Sequence, residues 1–258
     1  MGVDFNTLVL LISSTFFIGA LLGFIGAGGA GVLLGLLSGV FSLPIGQAIG
    51  TALAAMCVVT IAGAISHFRE GNVDLRIGLV VGLSGVGGAV IGATASQEVD
   101  DGVLKIGAGL ALWTLAILVW VRTRAVRKPQ SVGLPRSSVA YRGALASMGL
   151  GVTGGISAGF FGVGMAPYLQ LGFLTLHRLS LRKTIGTTMW ALVFISASAA
   201  LVLARHGDVS GPHLIGSVIG LSAGSFAGAK LTRRAPASVL RTAIIIVPVI
   251  AGGMVIFL

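Results

Sequence analysis

Gly23-Phe-Ile-Gly-Ala-Gly-Gly-Ala-Gly31, with the Ile49-Gly50-Thr51 that follows it, decides how this chain is read, because both stretches occur twice. Moving 136 positions on gives Gly159-Phe-Phe-Gly-Val-Gly-Met-Ala-Pro167 and then Ile185-Gly186-Thr187. At the same offset Gly71 and Val73 fall on Gly207 and Val209, and Gly88, Gly92 and Ala93 on Gly224, Gly228 and Ala229. Glycine matches glycine cheaply in a chain that holds 41 of them. A gapless offset that still holds from Gly23 through Ala93 does not come from composition, so the chain reads as two copies of one unit. Each copy carries a glycine-rich break inside an apolar run.

Composition says where such a unit folds. The 258 residues are 55% hydrophobic and 9% charged, with a mean hydropathy of +1.03. A water-facing surface needs roughly 25% charged residues, and apolar runs of about 20 residues match the hydrocarbon thickness of a bilayer. The chain is therefore expected to be an all-α polytopic membrane protein. Apolar segments lie at 6–25, 31–42, 46–66, 74–95 and 101–121, and again at 142–161, 167–178, 182–202, 210–231 and 237–257. The second segment of each half spans roughly 18 Å as helix, too short to cross alone. It is expected to form a hairpin with the segment before it, turning at the glycines. Whether the hairpin is re-entrant or crosses fully is left open by the sequence.

Charge sets the orientation. The net charge of +10 would suggest nucleic acid in a soluble protein, but in a membrane protein basic residues gather in cytoplasmic loops, and no nucleic-acid partner is expected. The stretch 122–141 is basic and carries Pro129 and Pro135, so it reads as a cytoplasmic linker between a first repeat at 1–121 and a second at 142–258. Counting crossings outward places every lysine and arginine inside except Lys105 and Arg205. Both termini then fall on the periplasmic side of a bacterial inner membrane. Met1 to Thr7 contains Asp4 and no basic residue, so it lacks the basic start of a cleavable signal. The two copies run in opposite senses, and inverted repeats with interrupted helices are the pattern of secondary transporters, which bind substrate at the repeat interface.

The breaks suggest which substrate. A helix that starts after Gly26, Gly28 and Gly29, or after Gly162 and Gly164, presents backbone N–H groups without intrahelical partners, and its dipole attracts anions. The alternative is close helix packing by glycine, assigned outright to the Gly88-xxx-Gly92 and Gly224-xxx-Gly228 pairs. Thr51 and Thr187 stand beside the breaks as matched hydroxyls, able to donate to an anion or to bond back to their own helix. Thr188 has Ala52 opposite it, and Lys183 has Gln47, an asymmetry that suits a guide for anions at the inner mouth or an ordinary loop lysine. All seven carboxylates fall in loops or at segment ends, among them Asp74 and Asp208. None sits at mid-membrane to relay protons or hold a cation. The four histidines lack metal-ligand spacing, and the single cysteine, Cys57, has no partner. Neither an enzyme nor a cofactor is expected.

Gly23–Gly29, Ala48–Thr51 and Val73-Asp74-Leu75, with their second copies, resemble the sulfite exporter TauE/SafE family of membrane proteins. In the second copy Met165 replaces a glycine, Pro167 stands in for a proline usually found further on, and Gly207-Asp-Val209 keeps part of its element. The resemblance implies export of sulfite or an organosulfonate across the inner membrane. The expected function is a secondary transporter for a small anion working by alternating access, with a passive anion channel or a carboxylate or other small-anion permease as the alternatives. The expected partners are that sulfur oxyanion and the lipid bilayer. Proton coupling stays open, since the substrate can carry its own proton, as does the oligomeric state.

Overall fold

The computed structural model describes residues 5–25, 30–125, 139–163, 165–232 and 237–257. Every element among them is helical. The first half holds α1 (Phe5–Ile25), α2 (Ala30–Val40), α3 (Ile45–Arg69), α4 (Leu75–Ser96) and α5 (Asp101–Ala125). The second holds α6 (Val139–Phe161), α7 (Ala166–Thr175), α8 (Leu181–Arg205), α9 (Gly211–Thr232) and α10 (Ala237–Phe257). Six of these helices are long and apolar enough to cross a membrane. Many apolar side chains on the outer surface stand exposed, among them Phe17, Ile91, Val103, Ile117, Ile215 and Phe226. In water such a surface would aggregate, whereas against lipid it costs nothing.

Local chemistry fixes the boundaries. α3 ends where Gly71 takes a φ of +70°, and α8 where Gly207 takes +84°. At the first, Gly71 N–H donates to the Phe68 carbonyl and Asn72 N–H to that of His67; at the second, Gly207 donates to Ala204 and Asp208 to Leu203. This is the same left-handed C-terminal stop, with its two bonds, used twice. Asp74 caps α4 by accepting the Ile77 N–H at 3.1 Å, and Pro167 sits in the first turn of α7, where its missing N–H is not needed. α2 loosens into a π-helix over Leu36–Val40.

The core is built by helix exchange between the halves. α3 and α8 form the centre and are the most buried of the six membrane-length helices. They pass antiparallel: the start of α3 meets the chain just beyond the end of α8, and the start of α8 meets the chain just beyond the end of α3. α1 lies along α9, α4 along α6, and α5 along α10. Glycines bring these pairs to backbone distance. A Cβ at Gly88 or Gly92 would run into the carbonyls of Val152 or Ile156 on α6, and one at Gly224 into that of Phe16 on α1. The packing role expected for these glycines is the one they fill, and Gly23 and Gly159 join them against Ser225 and Ala89. α5 and α10 are tied by the Trp113 indole N–H, which donates to the Val249 carbonyl at 3.1 Å.

Candidate functional site

The interior of the molecule is organised by two equivalent crossings. At one end of the bundle Gly50 lies against the Asp208 carbonyl, and the neighbouring Thr51 hydroxyl accepts the Ser210 N–H at 2.9 Å. At the other end Gly186 lies against the Asn72 carbonyl, and the Thr187 hydroxyl accepts the Asp74 N–H at 2.9 Å. Each glycine lets the loop backbone descend onto the helix, and each threonine then satisfies a loop N–H that would otherwise be buried without a partner. Both threonines are fully buried. Each keeps its own hydroxyl proton free to donate, because the bond described uses only the oxygen.

This places the predicted residues with some precision. Thr51 and Thr187 are not brought together: they stand at opposite ends of the α3–α8 pair, separated by roughly 25 Å at 1.5 Å per residue. Gly162 takes a φ of +64° and presses on Ile49, where a Cβ would approach the Ile49 Cγ2 to 2.5 Å. The second break therefore docks beside Thr51 rather than beside Thr187. The first turn of α2 meets the same region: a Cβ at Gly31 would lie 3.3 Å from Val163 and 3.0 Å from Leu112. The start of α2 and the stretch just after α6 thus meet. Gly26, Gly28, Gly29 and Gly164 lie outside the described residues. Lys183 is exposed at the start of α8, and Thr188 is fully buried one turn beyond Thr184.

Two arrangements were not visible in the sequence, although Thr188, which belongs to one of them, was among the expected site residues. A cavity of about 110 Å³ opens at the Asp208 end, lined by Gly46, Ile49, Ser96, Asp101, Leu203 and Asp208. At the opposite end lies a group of buried polar atoms without a hydrogen-bond partner: the hydroxyls of Thr184 and Thr188, the Trp190 indole N–H and His67 Nδ1. Thr184 has only Ala48 as its counterpart, so matching the two copies could not reveal it. Nearby, His177 Nε2 and the Ser147 hydroxyl share a hydrogen bond of 2.9 Å. Burial holds the His177 pKa below the ordinary histidine value, with the Asp74 charge pulling part of the way back.

A helical bundle of this length and apolarity, with the short helices α2 and α7 packed around a pair of antiparallel buried helices, has the architecture of a multi-pass membrane transporter. The model of the family described as Sulfite exporter TauE/SafE matches residues 11–255, and the chain belongs to that family. Among its relatives, the Probable membrane transporter protein YdhB of Bacillus subtilis is 35% identical over 249 residues, covering 96% of this chain and 100% of that protein. A Probable membrane transporter protein of Xylella fastidiosa is 27% identical, covering 90% of this chain and 88% of its own length. The Probable membrane transporter protein YjnA of Bacillus subtilis is 24% identical, covering 93% and 97%. No solved structure matches.

Proposed function

We propose that this membrane transporter is a secondary carrier that exports a small sulfur oxyanion, sulfite or an organosulfonate, across a bacterial inner membrane by alternating access. The first repeat is 1–121 and the second, inverted in the bilayer, is 142–258, with 122–141 as the basic cytoplasmic linker and both termini periplasmic. The observation that carries the reading is the matched pair of crossings, Ser210 onto Thr51 and Asp74 onto Thr187, one at each end of the antiparallel α3–α8 core. Equivalent closures at the two membrane faces are what a carrier opens one at a time. The choice of a sulfur oxyanion follows from the name of the family, and an anion suits the absence of any Asp or Glu inside the described stretches 46–66 and 182–202.

Counterflow tests the proposal. Proteoliposomes preloaded with unlabelled sulfite should accumulate labelled sulfite transiently above equilibrium. Uptake that is indifferent to preloading would make the protein a pore. No sulfite-dependent flux of either kind, with flux of a simple carboxylate instead, would replace the substrate class.

A further inference from the structure

α3 and α8 begin in equivalent places, yet different groups face their first turns. Neither has a capping side chain: Pro44 precedes α3 and Ser180 precedes α8 without a side-chain bond to either helix. At α3 the protein supplies its own anion. The Asp208 carboxylate lies 3.4 Å from where a Gly46 Cβ would stand, beside the positive end of the helix dipole. The residue equivalent to Asp208 at the start of α8 is Asn72, whose side-chain amide turns away to donate to Glu70 at 3.1 Å. No acidic residue belongs to the first turn of α8, where Arg182 and Lys183 stand exposed; the neighbouring Asp74 donates its N–H to Thr187, and its carboxylate accepts the Ile77 N–H of α4.

The hydroxyls behind that turn are equally one-sided. Thr184 and Thr188 are both 0% exposed and neither has a hydrogen-bond partner. Many helical hydroxyls among the described residues bond back to their own helix, as Thr15 does to Leu11, Ser84 to Val80 and Ser196 to Leu192. Thr184 and Thr188 lie one turn apart on one face, and helix side chains lean toward the N-terminus. Their counterparts on α3 are Ala48 and Ala52, so the first half holds no equivalent pair.

We infer that the N-terminal two turns of α8 form a binding site for one small oxyanion, with the Thr184 and Thr188 hydroxyls donating to two of its oxygens. Asp208 fills the corresponding place on α3 from within the chain. The site rests on the transporter reading and names where its substrate sits. Two Cβ atoms about 5–6 Å apart suit a pyramidal or tetrahedral anion that accepts two charge-assisted bonds of about 2.7 Å, and the helix end supplies countercharge. Backbone and hydroxyl donors of this kind read the number and spacing of oxygens, so sulfite and sulfonates bind here in preference to halide.

The test is sulfite affinity by titration calorimetry on the purified full chain, run beside counterflow. Thr184→Val and Thr188→Val keep shape and remove one hydroxyl each. Each should weaken sulfite binding about tenfold, the loss expected for a hydrogen bond to a charged group, without lowering the melting temperature of the unliganded protein. Thr188→Ser should restore affinity. Asn72→Asp, which rebuilds at α8 the arrangement found at α3, should abolish sulfite binding. If wild-type protein shows counterflow and the double valine variant binds sulfite as tightly, this site is wrong and the carrier reading stands. If wild-type protein binds no sulfite, sulfate or methanesulfonate, both fall together.

Discussion

Thr51→Val and Thr187→Val test the crossings at the core. Each substitution keeps the volume of a fully buried side chain and removes the only atom that accepts the Ser210 or Asp74 N–H at 2.9 Å. A buried N–H left without its acceptor costs about 1–3 kcal/mol, and the cost falls only on conformations in which that end of the bundle is closed. A conformation that opens the end lets water satisfy the same group. The variant should therefore shift the balance between closed and open at its own end by about 5- to 150-fold, at the expense of conformations open at the other end. Cysteine accessibility reads this directly. In a Cys57→Ala background, Ser96→Cys reports on the cavity at the Asp208 end and His67→Cys on the Asn72 end. Thr51→Val should speed maleimide labelling of the first and not the second, and Thr187→Val the reverse. Equal acceleration at both ends, or none at either, would show that the two bonds are static braces rather than closures.

Three further outcomes follow from particular contacts. Gly162→Ala places a Cβ against Ile49 in a left-handed conformation, so it should lower stability in detergent by about 1–3 kcal/mol, with Ile49→Ala recovering part of the loss. Gly88→Val should prevent α4 from seating on α6, because its side chain meets the Val152 carbonyl, while Gly87→Val, with nothing within 4 Å, should fold normally; size-exclusion profiles distinguish them. His177 has a folded-state pKa below its ordinary value of 6.5. The unfolded chain thus takes up the proton first, and stability should fall as pH drops below about 6.5 until the folded-state pKa is passed. His177→Gln should flatten the dependence of melting temperature on pH over that window.

Much of the fold could be read in advance, because apolar runs and glycine breaks are local signals. The segment expected at 46–66 is Ile45–Arg69, and that expected at 167–178 is Ala166–Thr175. Either side of the stretch 126–138, α5 continues to Ala125 and α6 begins at Val139, so helix reaches into both ends of the span read as a linker. Partner choice was not legible. A glycine stripe announces close approach but not the helix that makes it, and Gly88 meets Val152 across the two halves. The threonines were less legible still. Matching the copies selected Thr51 and Thr187, whose symmetry reflects a shared bond to a loop backbone. The same matching passed over Thr184, because an alanine opposes it.

The pairing of α1 with α9 and of α4 with α6 has a consequence for how the protein is made. A ribosome releases α1 and α4 into the bilayer long before their mates exist, with bare glycine backbone at Gly23, Gly88 and Gly92 turned toward lipid that cannot fill the groove. The nascent amino-terminal portion should therefore be a target for membrane proteases or a client of the insertion machinery until translation has passed α9. Severing the chain between Ala125 and Val139 and co-expressing the fragments should still yield assembled protein, whereas either fragment made alone should be cleared from the cell.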